Sequence, residues 1–207
     1  MMNKTVRIII QIVLLAVIVL LAILIVKGIQ KPIEFEKKRN KRFDQVIERL
    51  EDIRTAQVVF KKQHGYYTPH FDTLINFIKI GSMPVVKKEG FVPDTLTEKK
   101  AVELGIVQRD TFHMPFSDTL FKNPGYPLDS MVYIPCGTQA KFRMDTATVM
   151  TGSKVEVKVF EARVHFWDIM DGLNEQLIIN YISQRGDSVL RVGSLEEATN
   201  NAGNWEN

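Results

Sequence analysis

From Ile8 to Val26 the chain carries no charge, no proline and no glycine. No other feature narrows so far what this sequence can fold into. At about 1.5 Å per residue, a helix over this run reaches roughly 28 Å, close to the hydrocarbon thickness of a bilayer. The run is apolar on every face, whereas a helix packed in a soluble core keeps a polar side. It is too long for the apolar part of a cleavable signal, and it ends in Ile25-Val26-Lys27-Gly28-Ile29 with no Ala-x-Ala pattern. The expectation is a transmembrane helix over 8–26, with a short flank at 1–7 and a water-soluble part after it. Gln11 is the one polar side chain in the span. It sits one turn from the edge, where its amide reaches the headgroup layer. The alternative is a hydrogen bond to a partner span, worth on the order of 1 kcal/mol.

The charges after the span are mostly basic. Lys27, Lys31, Lys37, Lys38, Arg39, Lys41 and Arg42 are broken only by Glu34 and Glu36, while the whole chain carries a net charge of just +3. A basic run beside a span contacts anionic lipid headgroups. Lys37, Lys38, Arg39, Lys41 and Arg42 are therefore candidate lipid or partner contacts. No aromatic platform or recognition motif accompanies them, so nucleic acid is not expected as a partner. Orientation is pulled two ways. A count of Lys and Arg places the soluble domain in the cytoplasm, while an uncleaved anchor this near the N-terminus exports the domain behind it. The expectation taken is export, with the cytoplasmic side as the alternative.

Beyond Pro32 the pattern predicts a second helix from about Glu36 to His64. Phe43, Val46, Leu50, Ile53 and Phe60 repeat at intervals of three and four, with Ile47 and Ala56 beside the stripe and Gln57 interrupting it. Gly65 sits where a helix C-cap belongs. Thr68-Pro69 reads as an N-cap and first turn for a helix carrying Phe71, Leu74, Ile75 and Ile78, closed by Gly81. A further short helix is expected from Thr97 to Leu104. Strand-like segments cover Val85–Val92, Ile106–Met114, Thr119–Phe121, Met131–Ile134, Lys141–Met150 and Lys154–Phe166. In the last, Val155, Val157 and Val159 alternate in one phase and Phe160, Ala162, Val164 and Phe166 in the other, which predicts a β-bulge. Thr151-Gly152-Ser153-Lys154 reads as the hairpin turn before it, and Asn123 to Pro127 as a loop. A helix interrupted at Gly172 is expected over Asp168–Ser183, then a strand over Val189–Val192. Ser194 and Glu197 have capping-box spacing for a final turn. The fold class expected is α+β: a transmembrane helix continuing into an amphipathic helix, packed on a mostly antiparallel β-sheet. The chain divides into 27–64 (basic segment and amphipathic helix), 65–193 (α+β domain) and 194–207 (tail).

Two resemblances add to this. A span, a continuing helix with Ile53-Arg54-Thr55-Ala56-Gln57 and Phe60, then His64-Gly65-Tyr66-Tyr67-Thr68-Pro69, resembles the first part of type IV pilins and pseudopilins, over about the first third of the chain. It departs from them ahead of the span, where no Gly-apolar-Glu of a processed leader is found. The C-terminal Gly193-Ser194-Leu195-Glu196-Glu197 and Asn200-Asn201-Ala202-Gly203-Asn204-Trp205-Glu206 resemble the end of an uncharacterised family of single-pass membrane proteins of Bacteroidota. That resemblance implies a bacterial envelope origin and no activity.

The residues that could carry chemistry point elsewhere. Asp-Thr occurs at Asp72, Asp94, Asp110, Asp118 and Asp145, but an Asp side chain bonding backbone two residues on is turn chemistry, and no cation-loop spacing joins them. His64, His70, His113 and His165 lack the i, i+4 pairing of a helical zinc site. Cys136 is the single cysteine, which rules out an internal disulfide and a multi-cysteine metal site, and no nucleophile motif surrounds it. Phosphate-cradling and dinucleotide motifs are absent from the sequence. No cofactor and no catalytic residue is expected. Trp205, in an Asn- and Gly-rich tail, either folds back or anchors a partner. The sequence thus points to a structural or assembly subunit of a bacterial envelope complex, pilin-like or an adaptor, anchored in the inner membrane. Its partners would be the bilayer and other membrane or envelope proteins, self-association included. A membrane-anchored hydrolase is the alternative.

Overall fold

The computed structural model describes residues 4–89, 100, 108–121, 127–137 and 139–206. One helix, α1 (Lys4–His64), carries both the apolar run and the amphipathic stripe. The apolar run is exposed along its whole length, and this helix is long and apolar enough to cross a membrane. The transmembrane and amphipathic helices read on either side of Pro32 are one continuous helix, with the proline inside it. A proline inside a helix removes its own N–H from the ladder and crowds the carbonyl four residues back, yet α1 runs on past it. The helix stops at Gly65, whose φ of +78° suits a residue without Cβ and whose N–H donates to Lys61 O.

The C-terminal half of α1 is a wall of the hydrophobic core. Phe43, Val46, Leu50, Ile53, Ala56 and Phe60 are all buried, as the spacing requires. Gln57 is also fully buried. Its Nε2 donates to Thr68 O at 2.6 Å and its Oε1 accepts from Thr68 N at 3.2 Å, so one side chain satisfies both backbone groups of a buried residue. That clamp holds the Thr68 backbone against α1, ahead of the next helix. Thr68 is not the N-cap of α2 (Phe71–Ile80); His70 holds that position, and Thr68 Oγ1 accepts from His70 N instead.

Gly81 leads from α2 into β1 (Ser82–Glu89), which pairs antiparallel with β2 (Gln108–Pro115). The ring of buried Phe116 occupies the space a Cβ on Gly81 would need, and Phe116 N donates to Gly81 O. A short helix, α3 (Phe116–Thr119), stands where a strand is expected at Thr119–Phe121; Thr119 Oγ1 bonds back to Pro115 O, a local bond that competes with strand pairing. Met131–Ile134 is likewise turn, with one isolated bridge, Tyr133 to Lys141. The helix expected at Thr97–Leu104, the loop at Asn123–Tyr126 and Asp94 lie outside the described residues, apart from helical Lys100.

The main sheet has the order β3 (Arg143–Met150), β4 (Glu156–His165), β5 (Val189–Gly193), all antiparallel. The bulge expected in β4 is absent, since Arg143↔Arg163 through Met150↔Glu156 is one unbroken register. What changes phase is the covered face. Phe160, Ala162 and Val164 point into the core against α1, while Val157, Val159, Glu161 and Arg163 point the other way. A central strand buried on both sides takes apolar residues on either one. Between β4 and β5, α4 (Phe166–Ile169) and α5 (Glu175–Arg185) are separated at Gly172, φ +73°, and Asn174 Oδ1 caps α5 by accepting from Leu177 N. The fold is α+β with antiparallel sheets, as expected. Its single core draws on Phe35 to Phe60 of α1 and, at the other end of the chain, on Trp205.

Candidate functional site

The part of the molecule nearest the apolar run is the stretch of α1 from Lys31 to Arg42, where α4, α5 and the turn between them meet it. A cleft of about 240 Å³ lies there between Lys31, Glu34, Phe35 and Lys38 on one side and Gly172, Leu173, Asn174 and Leu177 on the other. Phe35, nine residues beyond Val26, is already buried. At about 1.5 Å per residue the domain therefore begins within roughly 14 Å of the end of the apolar run.

The five basic residues singled out from the sequence divide into two groups here. Lys37, Lys38 and Lys41 are exposed. Arg39 and Arg42 are turned into the domain. The Arg39 guanidinium stands 4.5 Å from the centroid of the Tyr181 ring and 5.9 Å from that of Phe35, a cation–π contact that pins α5 to α1. Arg42 donates through Nη1 to Ile169 O at 2.9 Å and to Asp171 O at 2.7 Å. It caps the carbonyl end of α4, where the helix leaves acceptors without partners. Both arginines hold the helix and the domain together, a role their place in a basic run does not reveal because their partners lie far along the sequence. Gln11 projects from the exposed surface of α1.

Trp205 folds back. It packs against the hydrophobic core, with its ring filling the space beside Gly203. The tail that carries it is tied down along its length. Asn204 Nδ2 donates to Asp187 Oδ2 and to Val189 O, Asn201 Nδ2 donates to Tyr67 Oη, and Glu206 pairs with Arg54 at 2.6 Å. Ser194 Oγ accepts from the backbone N–H groups of Glu196 and Glu197, but the segment bends without forming the helical turn that capping-box spacing implies.

Among the described residues, Cys136, the histidines and the aspartates singled out from the sequence are spread over separate elements. Cys136 is half-buried, with its thiol aimed at Arg42 O; burial pushes that thiol above its ordinary range, against the opposing pull of Arg42. His64 stacks on Phe60 with ring centroids 4.3 Å apart and meets Tyr66 and Phe77 edge-on. His70, His113 and His165 are exposed on separate elements. Asp72 and Asp118 fall in first turns of helices and Asp145 in β3. Among the described residues no group of three His, Cys, Asp or Glu is placed to hold a metal ion.

No protein-family model, no curated protein and no solved structure matches the chain.

Proposed function

We propose that this chain is a single-pass protein of a bacterial inner membrane whose periplasmic domain serves as a pilin-like structural or assembly subunit of an envelope complex. The observation that carries this is the unbroken α1. The exposed apolar run and the buried stripe of the domain belong to one rod, tied to the domain by Arg39 and Arg42 close to the end of that run. A domain so mounted cannot swing freely on a linker; it is held at a fixed height and orientation over the bilayer, which suits presenting a surface to neighbours. Exposed Lys37, Lys38 and Lys41 supply contacts for anionic headgroups, each worth about 1 kcal/mol near the membrane surface. The pilin-like part of the proposal is supported by the resemblance of Ile53 to Pro69 and by the packing of the long helix on an antiparallel sheet.

Purification of the tagged full chain from its native membrane in gentle detergent, with mass spectrometry of everything that stays bound, tests this reading. A stoichiometric set of membrane or envelope proteins, or of further copies, is the expected result. A lone monomer retained under conditions that preserve other membrane complexes would contradict it.

A further inference from the structure

The sheet of β3, β4 and β5 has one edge closed and the other open. Along β5 the tail closes it: Gly193 N donates to Ala202 O, and Asn204 N donates to Arg191 O. The other edge is β3. Thr151 N donates across the hairpin to Val155 O, and backbone groups alternate in direction along an antiparallel strand. Met150, Thr148 and Thr146 therefore turn their N–H and C=O groups away from β4. Phe142, in the same phase, marks the direction, since its N–H donates to Val132 O in the turn beside β3. Past Phe142, among the described residues, nothing bonds the outward backbone groups of Thr146, Thr148 and Met150. All three residues are exposed.

Open edges are ordinarily guarded by charge, by proline or by a bulge. From Thr146 to Met150 the edge reads Thr-Ala-Thr-Val-Met, with no charge and no proline, and its register with β4 is unbroken. Beside it lies a hollow of about 380 Å³, lined by Tyr66, Tyr67, Thr146, Thr148 and Lys158. Lys158 Nζ already donates to Gly65 O and stands 5.9 Å from the centroid of the Tyr66 ring, so its ammonium belongs to the wall. Tyr66 itself is 48% exposed and gives the hollow an aromatic side. An open backbone ladder beside a side-chain hollow is how a sheet takes up an extended peptide. Main-chain bonds supply affinity there, and the hollow selects a side chain.

The direction of β3 decides against the same strand of a second copy. β4 runs antiparallel to α1, with Phe166 against Phe43 at one end and Lys61 Nζ donating to Lys158 O at the other. β3 therefore runs with α1. Two β3 edges can face each other only antiparallel, which turns the second rod upside down. Copies anchored in one membrane with their domains on one side cannot meet that way. Thr148 is paired with Lys158, level with Lys61. That level is roughly 52 Å along the rod from Val26, at about 1.5 Å per residue, so the occupant reaches well clear of the bilayer.

We propose that β3 takes up an extended segment of a different envelope protein as an added strand. It bonds to the backbone of Thr146, Thr148 and Met150 and places a bulky apolar or aromatic side chain in the hollow beside Tyr66. The inference rests on the anchoring proposed above, which excludes edge-to-edge pairing of two copies.

The test uses the full chain in its native membrane, with Tyr66 replaced by the photo-crosslinker p-benzoylphenylalanine. Illumination should give one discrete adduct with a different protein, its cross-link confined to one short segment by mass spectrometry. In that adduct the amide hydrogens of Thr146, Thr148 and Met150 should exchange at least about tenfold more slowly than in the free chain. Thr148→Pro should cut the adduct yield at least about tenfold, while Thr148→Val leaves it unchanged. The Thr148 N–H points away from β4, so this proline deletes no bond of the β3–β4 ladder, and the exchange readout needs no variant at the edge. An adduct with another copy of this chain, unslowed exchange, an adduct undiminished in Thr148→Pro, or no adduct would each overturn the proposal. Carbonate extraction of the same membranes separates the two failures. A chain that stays in the pellet without the adduct sinks strand addition alone, whereas release of the chain sinks the anchoring as well.

Discussion

Removing Gln57 should be costly for its size. It interrupts an apolar stripe, and its amide is the partner of both backbone groups of Thr68, where the chain turns from α1 toward α2. Gln57→Leu keeps the volume and leaves a buried N–H and a buried C=O unpaired, so the variant should lose about 2–4 kcal/mol in denaturant unfolding of the soluble part; a loss under about 1 kcal/mol would mean that water replaces the amide. Asp187 gives a pH dependence of definite sign. Burial alone raises its pKa, but hydrogen bonds from Val189 N, Asn204 and Ser188 N, with Arg191 nearby, hold the carboxyl below its ordinary value. The folded value is lower than the unfolded value of about 3.9, so the stabilisation is present above about pH 4 and is lost as pH falls through the folded pKa. Melting temperature should drop along that window in the native chain and more shallowly in Asp187→Asn. Parallel curves would remove Asp187 from the account.

At the scale of elements, legibility depends on range. The long apolar helix is readable because length and absence of charge suffice, and the stripe from Phe43 to Phe60 because a helical period is local. Gly65, Gly81 and Gly172 mark element ends at the expected places. The features that sequence alone misplaces depend on remote partners. Arg42 reads in sequence as one more lysine-type lipid contact, yet it caps carbonyls at Ile169 and Asp171. The phase change in β4 reads as a bulge because coverage on both faces of the sheet is a tertiary fact that one strand does not display. Pro32 marks no boundary, and α1 runs through it. For the tail, sequence leaves open whether Trp205 folds back or reaches a partner, and the structure folds it back. Deleting Asn200–Asn207 removes Trp205 from the core and the bonds of Asn201, Asn204 and Glu206. The truncated protein should be destabilised by about 2–4 kcal/mol, measured by denaturant unfolding in detergent. An unchanged midpoint would leave the tail idle in folding.

At the scale of the whole molecule, one rod has two kinds of surface. Its first part is exposed and apolar, its second is a wall of the domain core, and between them a basic stretch carries three exposed lysines beside two arginines bound into the domain. The height and orientation proposed for the domain both derive from that rod, so the proposed function stands or falls on whether Ile8–Val26 crosses the bilayer. Alkaline carbonate washing of membranes from cells making the full chain tests it most directly. The account predicts that the protein stays in the membrane pellet and that Leu14→Lys with Leu21→Lys releases it to the supernatant, because each charge at mid-span costs about 2.5–3.5 kcal/mol on insertion scales. Quantitative release of the unaltered chain would contradict it.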